Sequence, residues 1–124
     1  MKTINIKGKD YIPVVERVKE LHKLYPGSQI TTEIINNSDS RVIIKASVHV
    51  NTSKNPNQGM YTTYNGHSQA EWGKGMMGNV ALEVAETSAV GRALGFAGIG
   101  IDTGIASADE IRKVSKVEDD SVPF

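Results

Sequence analysis

A chain of 124 residues with 39% apolar content is enough for one modest domain and one small core, and its formal net charge of zero carries no bulk signature of a polyanionic partner. The absence of cysteine excludes disulfides, thiolate metal sites and cysteine nucleophiles. No apolar run reaches the length of a membrane span, and the opening MKTINIKGKD lacks the apolar segment of a secretory signal, so a cytoplasmic chain without membrane attachment is expected.

Residues 1–12 read as a polar arm made basic by Lys2, Lys7 and Lys9. A helix should open at Pro13, a residue tolerated in a first helical turn. Val14, Val18, Leu21 and Tyr25 then recur at helical spacing with Val15 and Leu24 beside them, and Pro26-Gly27 stops the pattern. Glu16, Arg17, Lys19, Glu20 and Lys23 are the expected outer face of this helix. Strands are expected over 28–36, 41–51 and 60–72, with the NSDS turn between the first two. In the second, Val42, Ile44, Ala46, Val48 and Val50 fall on one face and Arg41, Ile43, Lys45, Ser47 and His49 on the other. Gly66 suggests a bulge in the third.

After a connection at 73–79, a long helix is expected from residue 79 or 80 to 97, burying Leu82, Ala85, Ala89, Ala93 and Phe96 and ended by Gly98 and Gly100. Glycine costs about 1 kcal/mol in a helix interior relative to alanine. Gly91 and Gly95 among so many small residues therefore imply that something approaches this surface closely. SADE at 107–110 has the form of a capping box for a short helix, and VEDDSVPF closes the chain as a disordered tail. The order implies an α+β fold: a helix, a three-stranded antiparallel meander, and a long helix packed on the sheet. Residues 1–106 would form the core, and 107–124 a short helix and an acidic tail.

The charge is unevenly spread. Residues 1–101 hold 11 Lys and Arg against 8 Asp and Glu, a balance of +3, whereas 102–124 hold 3 against 6, a balance of −3. A basic body with an acidic tail points toward nucleic acid. Enzymatic chemistry finds no footing. Gly66 to Gly73-Lys74 has the wrong spacing for a phosphate loop, and Gly98-Ile99-Gly100 follows a helix where a dinucleotide fingerprint follows a strand. His22, His49 and His67 lack metal-ligand spacing, and Glu83 and Glu86 have no partner acid or base, so no catalysis, cofactor or metal is expected. Arg41, Lys45 and His49 share a strand face, and Tyr61, Tyr64, Trp72 and Lys74 lie on or just after the next strand. Cations track phosphates and aromatic faces stack on unpaired bases, although Tyr64 and Trp72 share a parity that suits core burial equally. Arg92 stands among small residues, open either to a polyanion or to an intramolecular ion pair.

YIPVVERVKELHKLYPG, a β-meander, and then AETSAVGRALGFAGIG together resemble the single-strand annealing superfamily, which includes phage Erf and Sak recombinases and the eukaryotic Rad-class annealing proteins. The resemblance covers about residues 11–101 and implies a β-β-β-α core that oligomerises and pairs complementary single strands along a positively charged groove, without cofactor hydrolysis. It implies that Arg92, in the Arg-Ala-Leu motif, contacts the DNA backbone and that Arg17 lines the same groove. Gly91 and Gly95 stand where the eukaryotic proteins carry further basic residues. The ending EDDSVPF resembles the acidic tip of bacterial single-strand binding proteins. That likeness implies that Asp119, Asp120, Pro123 and Phe124 recruit a replication or recombination protein, the ring and α-carboxylate of Phe124 entering a pocket with a basic rim.

The expectation is a phage-encoded, homo-oligomeric protein that binds single-stranded DNA without sequence preference and anneals strands. Arg17, Arg41, Lys45, Lys74 and Arg92 would meet phosphates, and Tyr61, Tyr64 and Trp72 would stack bases. Two alternatives stay open: an OB-fold protein protecting single strands, which needs five strands, and a small adaptor whose tail mimics the single-strand-binding tip.

Overall fold

Local sequence chemistry accounts for each element of the computed structural model, which describes residues 2–73 and 78–100. The expected arm is a small hairpin of β1 (Ile4–Ile6) and β2 (Lys9–Tyr11), with Ile4 opposite Tyr11. Its turn residues Lys7 and Gly8 both take positive φ, 53° and 81°, the combination that follows the natural twist of paired strands. Helix α1 (Val14–Leu24) follows, and the Pro13 carbonyl accepts from the N–H groups of Glu16 and Arg17 at 3.1 and 3.3 Å.

Strands β3 (Gln29–Asn37), β4 (Arg41–Asn51) and β5 (Tyr61–Glu71) form an antiparallel sheet in the order β3-β4-β5. The expected meander is therefore present. β4 is central, and its alternation is realised as the sequence implies: Val42, Ile44, Ala46, Val48 and Val50 are all buried. Helix α2 (Ala81–Phe96) crosses that face and packs mainly on β4 and β5. β3 is less covered, and Ile34 and Ile35 remain exposed. The sheet has three strands among the described residues, which departs from the five-stranded barrel of the OB alternative. The short helix after residue 106 and the acidic tail lie outside the described residues.

Three expectations about packing are corrected. The bulge is in β3, between Ile34 and Asn36, while β5 stays in continuous register with β4 through Gly66, which pairs with Ala46. Gly66 is required for a different reason: a Cβ there would sit 2.5 Å from the backbone nitrogen of Ala93 and 2.6 Å from the carbonyl oxygen of Ala89. What approaches the small-residue helix is thus the sheet itself. Phe96, expected inside, is 54% exposed, and the buried side of α2 consists of Ala81, Ala85, Ser88, Ala89, Val90, Gly91, Ala93, Leu94 and Gly95. Val15 and Leu24 of α1 are likewise exposed.

Arg17 is the third correction. It is 1% exposed, although the helical pattern puts it among charged neighbours. Helix α2 ends in a Schellman cap: Gly98 takes φ 84°, its N–H donates to Gly95 O at 3.0 Å, and the Ile99 N–H donates to Leu94 O at 2.9 Å. The Nε of Arg17 donates to the Ile99 carbonyl at 2.9 Å, and a Cβ on Gly100 would lie 2.9 Å from Arg17 Cγ. A cation here meets the negative end of the α2 dipole and ties α1 to the end of α2. Its side chain lies inside the fold, with one terminal nitrogen buried without a hydrogen-bond partner.

Candidate nucleic-acid interface

With one sheet face under α2, the other carries the polar set of β4 and its neighbours. The register places Glu33 opposite Lys45 and His67 on the far side of Lys45, while Glu71 stands opposite Arg41. Directly opposed side chains on a sheet lie close enough to interact. The two cations of the expected basic strip therefore each face a carboxylate, and the strip is not a band of uncompensated positive charge. Between them and the start of β5 the face holds hydrogen-bonded groups from all three strands. The His49 ring nitrogens lie 3.1 Å from Thr31 Oγ1 and 2.9 Å from Thr63 Oγ1, and Ser47 Oγ donates to Asn65 Oδ1 at 2.7 Å.

The aromatic residues divide. Tyr64 and Trp72 are partly buried and pack against the core from the inner side, and Trp72 Nε1 donates to Asn37 Oδ1 at 3.1 Å. Of the two readings the sequence left open, this packing favours the core. Tyr61 differs: it is 42% exposed, and its hydroxyl donates to the Gly27 carbonyl at 3.4 Å. Arg92 is half-buried, with its Cβ beside Gly66, and already has a partner within the protein, which corrects its picture as a freely standing cation. Lys74, Asp119, Asp120, Pro123 and Phe124 lie outside the described residues.

The two ends of the sheet are unlike. At one end lie the turn after β3, with Asp39, and the end of β5, with Glu71. At the other, the turn after α1 meets the loop between β4 and β5. Residues 21–31 and 47–65, which build that end, contain no Asp or Glu but do contain Lys23 and Lys54. The sequence held this signal, but it becomes visible only once these two segments are known to adjoin.

Asn51 joins them. It is 3% exposed, and its Nδ2 donates to the carbonyls of Pro26 at 3.1 Å and Pro56 at 2.9 Å. Its Oδ1 accepts from the N–H of Ser53 at 3.1 Å and from the Ser53 hydroxyl, and its own N–H donates to Ser28 Oγ at 2.9 Å. Ser28 Oγ in turn donates to Tyr25 O at 2.7 Å. Gly27, at φ 85°, has no room for a Cβ, which would lie 2.6 Å from Asn51 Nδ2. Every polar atom of the Asn51 amide is used, so the two loops are held as one rigid surface. Tyr25 (38% exposed), Met60 and Tyr61 are exposed on these same segments.

Among the described residues no group of three or more His, Asp or Glu is placed to hold a metal ion, and no helix is long and apolar enough to cross a membrane. A family model described as Slr1353 N-terminal dsRNA-binding domain-like matches residues 18–97, more than half of the chain. The match begins inside α1 and ends at Ala97, the C-cap of α2, so it takes in the whole three-stranded sheet. No curated protein matches the chain.

Proposed function

This chain belongs to the Slr1353 N-terminal dsRNA-binding domain-like family, and from that premise we propose that it is a nucleic-acid-binding protein that takes single-stranded DNA without sequence preference and, as a homo-oligomer, pairs complementary strands. The observation that carries this reading is the carboxylate-free end of the sheet, where Lys23 and Lys54 flank rigidly held loops. A polyanion approaching there meets Lys23 and Lys54 on segments that themselves carry no Asp or Glu. Arg41 and Lys45 contribute to phosphate contact only as far as a strand displaces their carboxylate neighbours, and Lys74 and Arg92 stay in the proposed set. Arg17 does not, since it is buried. No covalent step is part of this reading, so it is a binding protein and not an enzyme. Phage origin, a cytoplasmic location and partner recruitment through Asp119, Asp120, Pro123 and Phe124 belong to the same proposal.

The family description favours a second reading, in which the domain binds duplex RNA by its shape. Exposed rings favour single strands, because a base can stack on Tyr61 only when unpaired. Titrating fluorescent oligo-dT and a duplex RNA across a salt series separates the two. The single-strand reading expects tighter binding of oligo-dT, with log affinity falling by about 0.7 per phosphate contact per log unit of salt. It also expects multimeric particles and acceleration of complementary-strand pairing. Preference for the duplex transfers the function to RNA. No binding to either at low salt leaves the adaptor alternative, tested by partner capture with and without residues 121–124.

A further inference from the structure

We propose that Tyr61, with Tyr25 across the adjoining turn, forms a stacking platform for unpaired nucleobases, and that Lys54 takes the phosphate beside the stacked base. This deepens the single-strand reading above and rests on it.

Three independent features converge on these residues. The first is exposure: Tyr25 and Tyr61 are 38% and 42% exposed, whereas Tyr64 and Trp72 are packed against the core. Two large rings kept partly in water are unexplained by the hydrophobic core that the rest of the chain builds. The second is rigidity. Tyr61 follows a loop closed by bonds from Thr52 N–H to Met60 O at 2.8 Å and from Thr52 Oγ1 to the same carbonyl at 3.2 Å. Tyr25 is the C-cap of α1, its N–H donating to Leu21 O at 2.8 Å, and its carbonyl is held by Ser28. Asn51 joins the two segments, and the Tyr61 hydroxyl reaches Gly27, two residues beyond Tyr25. Backbone segments fixed before binding lose little conformational entropy when a base stacks on the side chains they carry.

The third feature is charge. Lys54 is exposed in the same closed loop, and the segments 21–31 and 47–65 that build this end of the sheet contain no Asp or Glu. Exposed aromatic residues and a loop lysine on segments without carboxylates match the repeating chemistry of a single strand, where each base is followed by a phosphate. The chemistry is shared by single-stranded DNA and RNA.

The experiment measures binding of oligo-dT, oligo-U and an abasic oligonucleotide of the same length to the full chain and to Tyr25→Ala/Tyr61→Ala, with circular dichroism and thermal melting on each protein. The wild type is expected to prefer oligo-dT to the abasic strand. The double variant should lose oligo-dT affinity by roughly 5- to 100-fold, keep the wild-type salt slope, and no longer distinguish the two strands. Lys54→Ala should do the converse, keeping the discrimination and lowering the slope by about 0.7. Tyr61→Phe should behave as wild type, and Tyr61→Leu, which keeps apolar volume without a ring face, replaces the alanine if that protein fails to fold. A folded double variant that still prefers oligo-dT as the wild type does overturns the platform and leaves the single-strand reading standing. A wild-type chain that binds no oligo-dT removes both. Weaker oligo-dT than oligo-U binding keeps the platform and assigns it to RNA.

Discussion

The two faces of the three-stranded sheet obey opposite rules. On the inner face of β4 every alternate residue is buried, and β5 gives up a side chain altogether at Gly66 so that the backbone of α2 can lie against it. On the outer face the cations Arg41 and Lys45 stand opposite Glu71 and Glu33, and His49, Ser47, Thr31, Thr63 and Asn65 bond to one another. The inner face is decided by volume, where a single methyl group matters. The outer face is decided by charge and hydrogen bonding in water, where individual pairs are worth little. Core packing and surface chemistry therefore alternate along β4, one residue to the next.

Substitutions can break this comparison. The largest loss of stability is expected for Ile44→Ala, about 2–5 kcal/mol for a buried aliphatic side chain whose site cannot collapse; denaturant unfolding measures it. Gly66→Ala adds one methyl against helix backbone and should cost roughly 1–3 kcal/mol, with the thermal midpoint falling accordingly. A neutral Gly66→Ala would mean that α2 sits farther from the sheet. Arg17→Met removes the donor to the Ile99 carbonyl and should cost roughly 1.5–3 kcal/mol, the range for a hydrogen bond to a charged group, while leaving the salt slope of DNA binding unchanged. A reduced slope in a folded Arg17→Met protein would restore that residue to the groove. Lys45→Ala, one residue along from Ile44, should alter stability by no more than about 0.5 kcal/mol. If it destabilises as Ile44→Ala does, the two faces are not separable.

Much of the fold was legible because it rests on period and punctuation. The 41–51 strand coincides with β4 at both ends, since its alternation is strict and bounded by turn signals. The helix stop at Gly98 was legible because a left-handed cap favours glycine. The misplacements concern residues whose neighbours come from elsewhere in the chain. Arg17 reads as a surface cation until the carbonyl of Ile99 is brought to it. Gly66 reads as a bulge until Ala89 and Ala93 lie over it, and Phe96 reads as core until the path of α2 leaves it outside. Of the candidate site, Tyr61 is visible as an aromatic near a strand start, but Tyr25 reads as the last position of the first helix's apolar stripe. Lys54 went unremarked because a lone loop lysine carries no pattern.

By itself, the sequence determined the order of elements from α1 to α2, the apolar side of β4, the stop of both helices and the fold class, since these follow from backbone propensities and from periodicities contained within single segments. Tertiary structure alone decided which cations are compensated, which aromatics face water, and which two loops Asn51 ties together. Each depends on distances between residues far apart in the chain, and short-range electrostatics and packing are set by those distances.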